Sequence, residues 1–210
     1  MKKIFAKIIL TDGSVETIDY YRLVSCEINN LGVSDVRKPS FGIIVPNGRI
    51  EFFDVNGVFL SKVNSDLAND AKVKFYYKDT SSKEEQFLAS FLCKKWDYDK
   101  ANKKIKGTLY SAMDKTKDII VPTTELDERV RIYDLRLGEL LEYVSKYSTL
   151  TDGKVDTGNV SSRLFENIKF PFIEAEKSIW YHIDQICKAI GAYCFVSYLN
   201  EEEVFEMQIF

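Results

Sequence analysis

The chain has 210 residues and a mass of 24.2 kDa, enough for one large domain or two small ones to bury a core without disulfides or metals. Its 29 basic and 32 acidic residues give a formal net charge of −3, so no overall attraction to nucleic acid or an anionic membrane is expected. With 13% aromatic residues, the chain does not have the composition of a disordered protein.

The first apolar run, residues 4–10, follows two lysines and superficially looks like a signal peptide. Lys7 interrupts this run, and Asp12-Gly13 follows where small cleavage-site residues should stand. The run therefore predicts a first strand. No window of the sequence approaches the roughly eighteen apolar residues of a membrane span, so no membrane partner is expected.

Up to about Pro122 the sequence reads as strand after strand, separated by turn signals. Asp12-Gly13 predicts a type I′ turn, and Asn56-Gly57 predicts another reversal. Only one helical turn, near residues 63–69, is expected. Strands this short and evenly spaced predict a barrel or a sandwich. The predicted strands are residues 4–10, 15–18, 23–28, 40–45, 49–54, 72–78, 86–93 and 104–110.

After residue 122 the apolar period changes to that of a helix. One helix is predicted after Asp134, a plausible N-cap, from the apolar positions Leu137, Leu140, Leu141, Val144 and Tyr147. A second is predicted between the N-cap Ser178 and the C-terminal Gly191, with the apolar stripe Ile179, Trp180, Ile183, Ile186, Cys187 and Ile190. Residues 192–198 and 204–210 then predict a hairpin. Residues 123–210 are therefore expected to form an α+β domain.

The segment CKKWDYDKANKKIKGTLYSAMDK, residues 93–115, contains the strongest candidate for chemistry. On a strand, Asp97 and Asp99 would share one face and Trp96 and Tyr98 the other, an arrangement open to a carboxylate pair. Residues 99–103 have turn composition, however, and Asp99 is placed to cap that turn. A calcium loop is not favoured either, because Thr108 stands where its bidentate glutamate belongs. The interpretation favoured is a hairpin with solvated carboxylates.

The remaining chemical candidates all favour structural interpretations. His182, the single histidine, is expected to lie away from the apolar stripe as a surface or partly packed side chain. Residues 201–203 are three glutamates expected at a solvated hairpin tip. The lysines between residues 94 and 106 could track single-stranded nucleic acid, but solubility and protection of a sheet edge explain them better. The four cysteines, Cys26, Cys93, Cys187 and Cys194, are expected to be buried, reduced thiols.

Several segments together resemble bacteriophage tail hub, or baseplate hub, proteins. They are FGIIVPNGRIEFFDVNGVF, then VKFYY, then the segment at residues 93–115, in which Trp96, Tyr98, Asp99 and Asp114 match a Trp-x-Tyr-Asp strand end and a following acidic residue. Further on, FPFIEAEKSIWYHIDQICKAIGAYCFVSY resembles the helix and hairpin of that family, with Ser178-Ile179-Trp180 opening the helix. The resemblance touches both halves of the chain.

The resemblance implies a β-rich α+β protein: an antiparallel, tail-tube-like β-barrel at residues 1–122 and a smaller α+β domain at residues 123–210. It implies a structural virion protein, synthesised in the bacterial cytoplasm, that closes the distal end of the tail tube as a homotrimer. Its partners would be the tail-tube protein and spike, fibre or other baseplate proteins. Such proteins are usually longer and carry a second barrel, so the chain would be an N-terminal portion or a reduced version.

Taken together, these features predict no enzyme, no catalytic, cofactor-binding or metal-binding residues, no cofactor, and no sequence-specific nucleic acid partner. The alternative is a carbohydrate- or receptor-binding β-module. That alternative needs Trp96, or the aromatic residues at Phe75, Tyr76 and Tyr77, to be exposed in a groove. Burial of Trp96 would favour the structural interpretation over the binding module.

Overall fold

The computed structural model describes residues 2–31, 41–79, 84–120, 135–136, 156–159, 169–170 and 177–209. The chain forms two compact units. Unit 1 comprises Met1–Asn29, Pro46–Ser111 and Asn200–Glu202, and unit 2 comprises Asn30–Val45, Ala112–Leu199 and Glu203–Phe210. The described residues 30–31, 41–45 and 112–120, which the predicted boundary at residue 122 assigns to the first domain, belong to unit 2.

Unit 1 is built on a seven-stranded antiparallel sheet with the order β2-β1-β6-β7-β8-β5-β3. Every strand predicted from the sequence up to residue 110 is present; most differ by a few residues at their ends, and β7 continues to Asp99, six residues beyond its predicted end. The strands of unit 1 are β1 (Lys2–Ile9), β2 (Val15–Ile18), β3 (Leu23–Asn29), β5 (Asn47–Phe53), β6 (Lys72–Asp79), β7 (Glu85–Asp99) and β8 (Lys104–Tyr110). The remaining predicted strand, β4 (Gly42–Ile44), lies in unit 2.

The closed barrel expected for residues 1–122 is not confirmed. The hydrogen-bonded order of the described strands begins at β2 and ends at β3, and these two edge strands are not neighbours in the sheet. What the structure shows is a β-rich unit with one large antiparallel sheet. Strands β5 and β8 alternate buried and exposed residues along their length, which is the pattern of a sheet with one face on the core.

The reversal between β1 and β2 lies where Asp12-Gly13 predicts it, but its geometry differs from the predicted type I′ turn. Gly13 has a φ of 81°, whereas Asp12 is not among the residues with positive φ, and type I′ requires positive φ at both central positions. The Gly13 amide donates to the Leu10 carbonyl, and the Leu10 amide donates to Ser14. This is a three-residue hairpin loop with glycine at the left-handed position.

The helix of unit 1, α1 (Val58–Asn64), begins immediately after Gly57 and not near residue 63 as predicted. Gly57, the N-cap residue, has a φ of 68° and, as a glycine, has no side chain to cap the helix. The carboxylate of buried Asp54 accepts hydrogen bonds from the Phe59 amide at 3.2 Å and the Leu60 amide at 2.9 Å. Asp54, which directly follows β5, therefore caps the helix. The sequence analysis missed this role because Asp54 lies four residues before the helix begins.

An aromatic cluster fills the core beneath α1. The Phe59 ring lies 4.8 Å from the Trp96 ring and 5.1 Å from the Phe52 ring, in edge-to-face arrangements. Trp96 is only 9% exposed, and its indole N–H donates to the Ala68 carbonyl at 2.8 Å. A Cβ added at Gly107, on the neighbouring strand, would lie 2.6 Å from Trp96 Cζ3. The glycine thus leaves the space that the indole occupies.

Unit 2 combines short strands with one long helix. Its four-stranded sheet has the order β10-β13-β12-β4, and β4 lies parallel to β12. A 3₁₀ helix, Ala112–Lys117, contains Asp114, the acidic residue of the hub resemblance, whose carboxylate pairs with Lys117. The other elements are β9 (Leu135–Arg136), β10 (Asp156–Asn159), β11 (Lys169–Phe170), α2 (Ile179–Ile190), β12 (Ala192–Leu199) and β13 (Glu202–Ile209), of which Glu202 belongs to unit 1.

Helix α2 forms as its sequence predicts. The Ser178 hydroxyl accepts a hydrogen bond from the Tyr181 amide at 3.2 Å, and Gly191 ends the helix with a φ of 68°. Ile183, Ile186 and Cys187 of the predicted stripe are buried. Neither helix within the described parts of the chain is long and apolar enough to cross a membrane.

The helix predicted after Asp134 cannot begin there, because Leu135–Arg136 form strand β9, antiparallel to β11. The stripe at residues 137–147 lies outside the described residues. The C-terminal hairpin is confirmed: β12 and β13 are neighbours in the sheet, joined at Asn200 and Glu201, whose φ angles are 51° and 64°. Two residues with positive φ make this a type I′ turn.

Candidate interaction surface

The hairpin between β7 and β8 contains both aspartates of the predicted carboxylate pair. Asp99 caps the turn: its carboxylate accepts from the Ala101 amide at 3.1 Å, the Asn102 amide at 3.2 Å and the Asn102 side chain at 2.9 Å. These hydrogen bonds, the Asn102 side chain first, lower the pKa of Asp99. The predicted capping role of Asp99 is confirmed.

Asp97 has a separate, local partner. Its side chain is 54% exposed and pairs with Lys95, on the same strand, at 2.7 Å. Each of the two carboxylates is therefore engaged by its own neighbours and faces solvent, as the hairpin interpretation predicts. Among the residues that the structure describes, no group of three or more His, Cys, Asp and Glu side chains is placed to hold a metal ion.

The lysines around this hairpin form ion pairs along the sheet. Lys104 lies 3.2 Å from Glu51, and Lys106 lies 3.9 Å from the same carboxylate, which lies on the adjacent strand β5. Strands β7 and β8 are interior strands of the sheet, so the prediction that these lysines protect an edge is wrong. Trp96, which a stacking platform for bases would need at the surface, is buried.

Burial of three aromatic side chains counts against the binding module in the form predicted, whereas the fourth residue named for it, Tyr77, is partly exposed. Trp96 is 9% exposed, Tyr76 is 6% exposed and Phe75 is fully buried. None of these three rings is available to stack on a sugar. Burial of Trp96 was the observation expected to favour the structural interpretation over the binding module, and Trp96 is buried.

Two predictions for individual polar residues fail. His182, expected at the surface or partly packed, is buried with 6% exposure on α2. Glu203, expected at a solvated tip, is 7% exposed. The other two glutamates of that run lie in unit 1, where Glu201 accepts from Tyr76 at 2.8 Å and pairs with Lys74 at 3.1 Å. In both regions the sequence pattern identifies a polar side chain, but it does not show that the fold buries this side chain.

The cysteines agree with the sequence interpretation in most respects. All four are free thiols, and Cys93, Cys187 and Cys194 are buried. Cys26, on the edge strand β3, is only partly buried. Burial raises the pKa of the Cys93 thiol to about 12, so this thiol is protonated at neutral pH.

A feature that the sequence analysis missed is a set of exposed apolar side chains in the β2–β3 connection and between the end of β5 and the start of α1. We call this group the β2–β3 corner; its members are Tyr20, Tyr21, Phe53, Val55 and Val58, which are between 38% and 68% exposed. Three of them, Phe53, Val55 and Val58, line an open pocket of about 260 Å³ together with Glu16, Arg22, Asp54 and Asn56. The adjacent tyrosines in the segment DYYR were the available signal.

Ion pairs fix the polar side of this pocket. The Glu16 carboxylate lies 3.0 Å from Arg22 and 3.1 Å from Lys62. Burial acts to raise the pKa of Glu16, but the hydrogen bonds from Arg22 and Lys62 outweigh it and leave the pKa lowered. The corner thus presents exposed apolar rings and methyl groups beside an ion-pair network of one carboxylate and two cations, and exposed apolar area of this kind suits contact with another protein surface.

Comparison with solved structures shows which proteins share this fold. The chain is similar to a tail protein from Neisseria meningitidis MC58, with a TM-score of 0.57 and 7% identity over 98% of this chain and 50% of that one. It is similar to the 43 kDa tail protein of prophage MuSo2 from Shewanella oneidensis, with a TM-score of 0.57 and 9% identity over 100% of this chain and 56% of that one.

A third similar chain comes from the Francisella PdpA–VgrG complex, with a TM-score of 0.50 and 14% identity over 99% of this chain and 31% of that one. This chain therefore has a fold found in phage and prophage tail proteins. It spans about half the length of each of the two tail proteins and 31% of the third chain. No protein-family model matches the sequence, and the search of curated proteins finds no match.

Proposed function

We propose that this chain is a structural component of a phage tail. The observation that carries the proposal is that its fold matches tail proteins over 98% to 100% of the chain. Two independent units of the chain are included in that match, so the likeness does not depend on one common β-motif.

Within the tail, we assign the chain to the hub at the distal end of the tail tube, as a homotrimer. This finer assignment is supported by the Trp96, Tyr98, Asp99 and Asp114 pattern, which resembles hub proteins. Its partners would be the tail-tube protein on one side and a spike, fibre or other baseplate protein on the other. The likeness to a chain of a PdpA–VgrG complex is in keeping with assembly into larger complexes.

The protein acts through its surfaces and has no enzymatic role in this proposal. The two aspartates with the best spacing for catalysis interact with their near neighbours in sequence. Asp97 forms an ion pair with Lys95, and Asp99 accepts hydrogen bonds from the turn amides. The β2–β3 corner offers the kind of exposed apolar area that subunit contacts bury. The tail-tip location in the virion follows from the hub assignment.

A knockout of the gene in the phage or prophage that encodes it tests the function. Removing a hub is expected to leave tails without a distal tip structure, while heads are still made and filled. Complementation with the wild-type gene, and with the Asp97→Asn and Asp99→Asn double variant, should restore complete tails. Normal, infectious particles from the knockout would refute a structural tail role. Failure of the double variant to complement would support the hypothesis of a reactive centre at Asp97 and Asp99.

A further inference from the structure

The sequence contains two Asn-Gly pairs, and the fold holds their main chains in different ways. Asn56-Gly57 lies in the turn between β5 and α1, whereas Asn47-Gly48 begins β5. Both asparagines are exposed. The two pairs therefore share the same sequence and similar access to water, and they differ in the setting of the glycine nitrogen.

An asparagine followed by glycine is prone to lose its side-chain amide without the help of an enzyme. The main-chain nitrogen of the glycine attacks the side-chain carbonyl carbon, which expels ammonia and closes a succinimide ring. Glycine favours this attack, because it has no Cβ to crowd the nitrogen and its backbone is free to rotate. The reaction therefore needs a glycine nitrogen that is accessible and a backbone that is not held in a sheet.

The turn at Asn56 meets both requirements. The Gly57 amide donates one turn hydrogen bond to the Asp54 carbonyl at 3.2 Å, and Gly57 itself is partly exposed with a φ of 68°. Within the described part of the chain, no atom beyond its chain neighbours lies within 4 Å of a Cβ built at Gly57. The nitrogen thus becomes free to attack when this turn opens locally.

The strand at Asn47 meets neither requirement. Gly48 is buried in β5, which is paired on both sides, with Ile28 of β3 and Leu109 of β8 opposite this glycine. A Cβ built at Gly48 would lie 2.3 Å from the Glu27 carbonyl oxygen. Attack by the Gly48 nitrogen therefore requires that strand pairing in the sheet be broken first.

We propose that Asn56 is the site at which the folded protein deamidates spontaneously, while Asn47 is protected. The Gly57 nitrogen forms a bond to Asn56 Cγ, and the bond from Cγ to Nδ2 breaks to release ammonia. Water then opens the succinimide at either carbonyl, giving aspartate or isoaspartate. One water is consumed for each ammonia released, and no oxidant or enzyme takes part.

The products alter the start of α1 and the lining of the pocket in the β2–β3 corner. Each adds a carboxylate where Asn56 lines this pocket with Glu16, and isoaspartate also lengthens the main chain by one carbon. The Asp54 carboxylate reaches the Phe59 and Leu60 amides across this turn, so a longer turn should weaken the cap. Any effect on subunit contacts depends on the proposed tail function, whereas the reaction depends on the turn alone.

The test follows two tryptic peptides from the purified full chain. The folded protein is incubated at mildly alkaline pH in water labelled with heavy oxygen, and it is digested afterwards in ordinary water. The label then marks conversion during the incubation. Cleavage at Arg49 separates the two sites, because residues 38–49 contain Asn47 and residues 50–62 contain Asn56.

We expect Asn56 to convert at least about tenfold faster than Asn47 in the folded protein, which corresponds to about 1.4 kcal/mol of extra opening free energy at the strand. In guanidinium chloride the two sites should convert at similar rates, because the fold no longer protects Asn47. Equal rates in the folded protein, an unreacted Asn56, or the same rate ratio in folded and unfolded chains would overturn the proposal.

Two variants serve as controls. Asn56→Gln should leave residues 50–62 unconverted, because glutamine would have to close a larger ring, and Asn47→Gln should leave conversion at Asn56 unchanged. After the same incubation, the wild-type chain should melt a few degrees lower than before, whereas Asn56→Gln should keep its melting temperature. An unchanged melting temperature in converted wild-type protein would contradict the weakened cap. All readouts use the isolated chain, so their failure would leave the tail assignment untouched.

Discussion

At the scale of single residues, local sequence was a good guide where the partner is also local. Asp99 binds atoms two and three residues ahead of it, and this role was predictable from turn composition. Glu203 and His182 are buried, which the polar composition around them does not reveal. Asp54 is intermediate, since it caps a helix that begins four residues later.

Replacement of Asp99 by alanine should lower the melting temperature by a few degrees, because two turn amides and the Asn102 side chain lose their acceptor. Asp97→Ala on the same hairpin is the matched control and should have little effect, since its exposed pair with Lys95 contributes little. Thermal unfolding followed by circular dichroism measures both. Equal losses for the two variants would contradict the capping role.

Acid should weaken unit 1 in part through Glu16. Its pKa is lowered in the folded protein from an ordinary value of 4.5, so its stabilising contribution is present above pH 4.5 and is lost as the pH falls through the folded-state pKa. Glu16→Gln should therefore cost roughly 0.5–1 kcal/mol at pH 7, a value reduced by partial exposure of the pair, and less at pH 3.

Urea unfolding at both pH values measures this difference. Glu27→Gln, at an exposed position on β3, is the control and should change stability little at either pH. A destabilisation by Glu16→Gln that is the same at pH 7 and pH 3 would show that the ion pairs with Arg22 and Lys62 do not hold the carboxylate charged.

At the scale of secondary structure elements, the hydrophobic period and the turn signals predicted where the strands and α2 lie in the sequence. They did not predict which strands pair with each other. Strand β4 was predicted within the first domain, yet it pairs with β12, about 150 residues later in the sequence. The lysine-rich hairpin was expected at an edge, yet β7 and β8 are central. Neighbour relations of this kind depend on long-range contacts that no local pattern specifies.

The packing of Trp96 against Gly107 gives a prediction at this scale. Gly107→Ala would place a methyl group 2.6 Å from the indole and 2.9 Å from Ile50, so we expect a loss of about 1–3 kcal/mol in unfolding free energy from overpacking. The adjacent Thr108→Ala, at an exposed position of β8, should change stability by no more than about 0.5 kcal/mol. Chemical denaturation measures both, and a neutral Gly107→Ala would contradict the packing described.

At the scale of the whole molecule, the β2–β3 corner is the part of the described surface that we expect to contact a neighbouring subunit. The combined Tyr21→Ser and Val55→Ser substitutions should raise the dissociation constant of the proposed trimer about tenfold or more, because each side chain exposes more than half of its surface in the free chain. Leu199→Ser, at an equally exposed apolar residue outside the corner, is the control.

Mass photometry or sedimentation over a range of concentrations measures the oligomer of each variant. If the corner variant forms the same oligomer as the wild-type chain, the subunit contact lies elsewhere on the protein. A wild-type chain that stays monomeric at high concentration would remove the support for self-assembly by this chain alone.

The central claim is that this protein is part of the distal end of a phage tail, and labelling of intact particles tests it most directly. Gold-conjugated antibodies raised against the purified chain are bound to particles and viewed by negative-stain electron microscopy. The hub assignment predicts gold at the end of each tail furthest from the head. Gold along the length of the tail, gold at the head, or unlabelled tails in a preparation where the antibody detects the denatured protein in the same particles would contradict it.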